Sequence, residues 1–142
     1  MSNWIFRANP ERFRIHDYLR DFGHVEYFQK EKVEEGDIIY LYITGKVKRV
    51  EYKMVVERAN IPFMEAEDDS SYSLRKPIET FLVNDQFVRF KLIGKRVETD
   101  ELCYKKLCEH GFVGKNGRYL PMTSNRRLSD ETVKYIDSFF KK

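Results

Sequence analysis

One stretch, VEEGDIIYLYITG from Val33 to Gly45, constrains this chain more than any other. From Ile38 to Thr44 nearly every residue is β-branched or aromatic, which suits an extended strand. Alternation sends Ile39, Leu41 and Ile43 to one face and Ile38, Tyr40, Tyr42 and Thr44 to the other. The first face is plain core. The second carries two phenols and ends in a hydroxyl beside Gly45. That pattern admits either core packing or the wall of a binding site.

The flanking residues build a fold around this strand. Glu34-Glu35-Gly36-Asp37 is a turn that launches it. Gly45-Lys46 separates it from a second strand over Val47–Glu57, with Tyr52, Met54 and Val56 on one face, and the two read as a hairpin. Asn3 to Arg7 reads as a first strand. Asn9-Pro10 ends it, because the residue before proline avoids helical angles. Ile15, Tyr18, Leu19 and Phe22 recur at helical spacing, and Gly23 stops that helix. His24 to Lys30 fits either state. Ile61 to Pro77 has no clear period and holds an acid run and three serines, so it reads as a long loop. Gln86 to Val97 alternates, with Val88, Phe90 and Leu92 on its apolar face. Thr99 or Asp100 can cap a helix to Glu109, which Gly111 ends. Ser129 can cap a last helix with Asp130 and Glu131 in its first turn, a Val133, Ile136 and Phe140 stripe, and Lys141-Lys142 at its end. The expectation is one domain of 142 residues, α+β, with a mixed or antiparallel sheet curled into a small barrel flanked by short helices.

Chemistry is thinner. The sequence has no phosphate loop, no nucleophile elbow and no zinc-protease motif. His16, His24 and His110 stand singly. The run Glu65, Glu67, Asp68, Asp69 lacks calcium-loop spacing and reads as a solvated loop. Cys103 and Cys108 lie five residues apart on one predicted helix, which suits two thiols rather than a disulfide or a zinc site. These readings favour a binding module with no catalytic residues, no metal and no cofactor. No apolar run approaches the roughly 20 residues that span a bilayer, and the first residues lack signal-peptide character, so the expected location is the cytoplasm. The net charge of +3 is unevenly spread. Residues 1–88 hold 13 Lys and Arg against 16 Asp and Glu, whereas residues 89–142 hold 13 against 7. A basic C-terminal third suits an anionic partner.

Several segments together resemble the EVE domains, a PUA-like family related to the YTH readers of modified RNA bases. They are Asn3-Trp4-Ile5, Ala8-Asn9-Pro10, Ile15-His16-Asp17-Tyr18-Leu19, Gly36 through Gly45 and Arg126-Arg127-Leu128-Ser129. The order of these segments carries the resemblance, which covers almost the whole chain. It departs at His24–Lys30, where many EVE domains have a tryptophan and an N-Y-Q-A-R-N run. The pattern is nearer to divergent EVE domains fused to HNH nucleases or associated with modification-dependent restriction.

The resemblance implies a DNA-binding or RNA-binding module that flips one modified base into an aromatic pocket. Modified cytosine in DNA, such as 5-methylcytosine, ranks first, and a separately encoded nuclease is a possible partner. A modified base in RNA is the alternative. A small-molecule enzyme using the same pocket, with Cys103 or Cys108 as nucleophile, is a second. The expected base pocket comprises Trp4, Asn9, Tyr27, Phe28, Tyr40, Tyr42, Thr44 and Gly45. The expected phosphate contacts are Lys46, Lys48, Arg49, Lys115, Arg118, Arg126 and Arg127. The central expectation is a hollow between Trp4 and Tyr42.

Overall fold

A computed structural model describes residues 2–74, 85–113, 117–118 and 124–140. In chain order the elements are β1 (Asn3–Ala8), α1 (Ile15–Phe22), β2 (His24–Phe28), β3 (Ile38–Ile43), β4 (Arg49–Pro62), β5 (Gln86–Leu92), α2 (Tyr104–Glu109), β6 (Arg126–Arg127) and α3 (Asp130–Asp137). The six strands form one mixed sheet in the order β2-β5-β4-β3-β1-β6. β1 and β3 run parallel, and every other pairing is antiparallel. The α+β class is as expected. The barrel is not closed, because β2 and β6 remain the two edges of the sheet.

The sheet nevertheless curls strongly. Tyr27 on edge strand β2 donates its hydroxyl to the Arg7 carbonyl of β1 at 3.0 Å. Phe6 of β1 meets Phe90 of β5 at 5.0 Å between ring centroids and Tyr27 at 5.8 Å. Register shifts in β4 between Val56 and Arg58, and again between Arg58 and Ile61, bend the strand that both halves share. Asn60 takes a left-handed conformation there (φ 57°), held by Gln29, whose side-chain oxygen accepts from the Asn60 backbone N–H at 2.8 Å.

Two cores lie on the two faces. Inside the curl pack Trp4, Phe6, Ala8, Ile39, Leu41, Ile43, Met54 and Phe90, closed at one end by Ile15, Tyr18 and Leu19 of α1. On the outer face Ile5, Tyr40, Tyr42 and Val50 pack beneath Leu102, Leu107, Phe112 and Ile136. Tyr40 reaches Asp137 of α3 through its hydroxyl, and Lys53 pairs with the same carboxylate at 2.9 Å.

Other elements match their sequence signals or depart from them for local reasons. Gly23 ends α1 in the left-handed region (φ 72°), and Ser129 caps α3 by accepting from the Thr132 N–H. The helix expected from Thr99 begins instead as a 3-10 turn, Asp100–Leu102, capped by Thr99, before α2. β5 ends at Leu92, short of the expected Val97, and Gly94 is left-handed (φ 72°). β4 continues to Pro62, into the stretch expected to be loop, and two 3-10 turns follow at Phe63–Glu65 and Ser70–Tyr72. Among the described residues no helix is long and apolar enough to cross a membrane. Cys103 and Cys108 are free thiols.

Asp37 anchors the start of β3 to β1. Its buried carboxylate accepts from the Ser2 N–H (2.9 Å), the Glu34 N–H (3.0 Å) and the Trp4 indole N–H (3.1 Å). Burial pushes its pKa up, but these three donors outweigh it and hold the group below the ordinary aspartate value. The ionised form is therefore the one that stabilises the fold. That contribution is full above about pH 4 and fades as pH falls through the lowered value. Asp37→Ala, which orphans three donors, is expected to cost at least about 2 kcal/mol at pH 7 in urea denaturation. The variant should also show a shallower loss of stability than the wild type between about pH 5 and pH 2.

Candidate nucleic-acid interface

The expected pocket between Trp4 and Tyr42 is not present. The two residues project from opposite faces of the sheet, Trp4 into the inner core at 6% exposure and Tyr42 into the outer core at 3%. Parallel pairing explains this. Trp4 stands opposite Ile39 and Ile5 opposite Tyr40, so the phenols share a face with Ile5, not with Trp4. Tyr40 is fully buried, and burial pushes the Tyr42 hydroxyl up to about 12. The three rings are packing residues. Thr44 is also committed: its N–H and its hydroxyl both donate to the Ala8 carbonyl. Gly45 (φ 76°) turns the chain against Asn9, so it shapes the site from behind.

A cleft does exist elsewhere, in the open seam of the curl. It has a volume of about 310 Å³, at the lower end of ligand pockets. One side is the end of β1 and the turn after it (Arg7, Ala8, Asn9, Arg12, Phe13). The other is β2 (Val25 to Phe28), with Ile15 at the start of α1 and Asp69 completing the lining. Asn9, Tyr27 and Phe28 were expected at the site and stand here together. Arg7, Arg12, Glu26 and Asp69 were missed.

The local chain explains each position. Asn9 accepts from the Glu11 N–H through its side-chain oxygen (2.9 Å), while its carbonyl takes the N–H groups of Arg12 and Phe13. The resulting turn holds Arg12 over the cleft. The Asn9 amide nitrogen has no acceptor among the described residues. Tyr27 is fixed by its Arg7 hydrogen bond and its contacts with Phe6 and Phe90, and burial raises its pKa well above the ordinary tyrosine value. Phe28 is half-buried, edge-on to Phe87 at 5.8 Å, with the Lys30 ammonium 5.7 Å from its ring centroid.

Glu26 is neutralised in place. Its Oε2 accepts two hydrogen bonds from Arg89, at 2.7 and 3.0 Å, and its Oε1 accepts from the Glu67 N–H at 2.8 Å. Glu67 in turn receives the Tyr18 hydroxyl and meets His24 Nε2 at 2.6 Å. Burial works against its ionised form, but Tyr18, His24 and Arg89 together hold its pKa below the ordinary glutamate value. This network pins the segment that delivers Asp69 to the cleft.

The arginines of the cleft wall differ from most of the other described arginines. Arg14, Arg20, Arg49, Arg58, Arg89 and Arg96 all pair with carboxylates. Arg49 is thereby spent on Glu51 and Asp100 and is not free for phosphate. Arg7 and Arg12 are exposed and have no carboxylate partner among the described residues. Of the other expected phosphate contacts, Lys46, Lys48 and Arg118 are exposed. Arg127 lies over the Trp4 ring at 5.1 Å, and half-buried Arg126 donates to Ser124 at 3.1 Å. Lys115 lies outside the described residues. Among the described residues no cluster of His, Cys, Asp and Glu is placed to hold a metal ion.

Solved structures share this fold across nearly the whole chain. The ASCH protein of Zymomonas mobilis is similar with a TM-score of 0.66 at 14% identity, covering 99% of this chain and 97% of that one. A Pseudomonas syringae protein is similar at 0.62 and 14%, covering 99% and 100%, and a hypothetical protein from Leishmania major at 0.64 and 18%, covering 97% and 93%. The fold is therefore the α+β, PUA-like fold of the ASCH proteins; the sequence resemblance had pointed to EVE within the same fold group. No protein-family model and no curated protein matches the sequence.

The packing assignments differ in what they cost to remove. Tyr42→Ala should lower stability by about 3–5 kcal/mol, as for other large aromatic truncations in a core. Phe28→Ala, half-buried at the cleft mouth, should cost less, about 1 kcal/mol for its edge contact with Phe87. Urea midpoints of the two variants, measured side by side, check the difference.

Proposed function

We propose that this chain is an EVE-type nucleic-acid-binding module, not an enzyme, that reads one extruded, modified base in the seam cleft. Modified cytosine in DNA is the first target and a modified base in RNA the second, with a separately encoded nuclease as partner in a modification-dependent restriction system. The observation that carries the reading is the pair Arg7 and Arg12, two exposed arginines without carboxylate partners among the described residues, lining a cleft together with Tyr27 and Phe28. Arginine without a carboxylate is available to phosphate, which it can hold through two parallel hydrogen bonds. Extruding a base costs a few kcal/mol. One aromatic stacking contact returns about 1–3 kcal/mol. Phe28 and the Asn9 amide supply the ring and an edge donor within one lining. A methyl or hydroxymethyl group would add apolar contact with Ala8, Ile15 and Val25, which are buried at the cleft wall.

The electrostatic part has a distinctive signature. Wild-type binding to a labelled oligonucleotide, followed by fluorescence anisotropy, should weaken steeply with salt. Replacing Arg7 and Arg12 together with alanine should lower affinity and reduce the slope of log K against log salt by roughly 1.5, the loss of two phosphate contacts. An unchanged slope would remove these arginines from the interface. Matched modified and plain strands in DNA and RNA then rank the targets, and equal affinity for all four would leave a non-specific binder.

A further inference from the structure

Asp69 is the one carboxylate lining the seam cleft that receives no hydrogen bond from another described residue. Glu26, the other acid of the lining, has both oxygens occupied by Arg89 and the Glu67 N–H. Asp69 is half-buried on the short segment between the Glu67 anchor and the Ser70–Tyr72 turn, and the Tyr72 N–H donates to its carbonyl at 3.0 Å, so its place over the cleft is set by backbone. The same cleft is lined by Asn9, whose amide nitrogen has no acceptor among the described residues. The lining thus offers both an acceptor and a donor.

We infer that Asp69 sets which bases the cleft accepts, by taking a hydrogen bond from an exocyclic amino group while Asn9 donates to a neighbouring ring nitrogen or carbonyl. This rests on the proposed nucleic-acid reading and narrows it. Cytosine and adenine present an amino donor beside a ring acceptor on one edge, whereas uracil, thymine and hypoxanthine present a carbonyl oxygen in the amino position. A carboxylate attracts the first arrangement and repels the second. The free protein also carries a cost that such a ligand relieves. Burial pushes the Asp69 carboxyl above the ordinary aspartate value, and the charges of Asp68, Glu26 and Glu67 push the same way. Arg7 and Arg12 do not offset this within ion-pair distance. Their role is with phosphate, so affinity and selectivity reside on different residues of one cleft.

The test uses single-stranded oligonucleotides that differ at one central position: cytosine, 5-methylcytosine, uracil, thymine, adenine or hypoxanthine. Anisotropy titrations compare the wild type, Asp69→Asn and the Arg7→Ala/Arg12→Ala double variant. The wild type should bind each amino-bearing strand at least about tenfold tighter than its carbonyl counterpart, the effect of one good edge contact. Asp69→Asn, whose amide can both donate and accept, should bring the ratio below about threefold with an unchanged melting temperature. The double arginine variant should weaken all six strands while keeping their ratios. Discrimination that survives in Asp69→Asn, or a wild type that binds all six alike, overturns the role of Asp69 and leaves the binding reading standing. A wild type that binds none of the six strands, the 5-methylcytosine strand included, overturns both.

Discussion

The parallel pairing of β1 with β3, buried on both faces, governs this molecule. Strands covered on two sides read as unbroken apolar runs; IIYLYI does so throughout, and NWIFRA does so over Trp4, Ile5 and Phe6. Their register divides the rings between two cores: Trp4, Phe6 and Leu41 turn inward, and Ile5, Tyr40 and Tyr42 turn out beneath α2 and α3. The Asp37 carboxylate ties the pair together at the N-terminal end of both strands by accepting from Ser2 and Trp4 on the β1 side and from Glu34 on its own side. The seam cleft depends on the same pair, since β1 must emerge at its C-terminal end as Arg7, Ala8 and Asn9 to form the cleft wall.

Much of the fold was legible in the sequence because its punctuation is strong. The Gly36-Asp37 turn, the Gly45 break, the Asn9-Pro10 stop, the Gly23 cap and the Ser129 cap each stand where the chain changes state. What covers a strand face was not legible. Alternation shows that Tyr40 and Tyr42 share a side, but whether that side meets a ligand or a helix depends on where Leu102, Leu107 and Ile136 return, sixty or more positions later. The fate of a charge is equally non-local. Arg49 and Arg7 look alike in sequence, yet one is paired with Glu51 and Asp100 and the other has no carboxylate partner among the described residues. Of the site, Asn9, Tyr27 and Phe28 were visible as aromatic and amide groups near a turn. Arg12 and Asp69 acquire meaning only once the chain has brought residue 69 beside residue 9.

Among the described residues each buried carboxylate is satisfied, Asp37 by N–H donors and the other two by arginines. Glu51 is wholly enclosed and bonded by Arg49 and Arg96, and Glu26 is bonded by Arg89. Such pairs fix geometry more than they add net stability, because desolvation offsets much of the attraction. Against that background, Arg7 and Arg12 stand at a concave seam with no carboxylate partner among the described residues, which packing alone does not account for, and the basic C-terminal third is less telling than it looked, since Arg89 and Arg96 within it are committed to the fold.

The pairing of Trp4 with Arg127, and of Ile5 with Arg126, means that β1 acquires its second neighbour only from residues far along the chain. Its first neighbour, β3, is already distant, with Asn3 opposite Ile38. Contacts of such sequence separation form slowly, because each large loop must close before any bond compensates for the lost entropy. An early species with the hairpin of β3 and β4 in place would therefore show an apolar edge where β1 belongs, open to strand addition by another chain. Chain order thus gives this sheet a vulnerable interval during assembly that the finished molecule no longer displays.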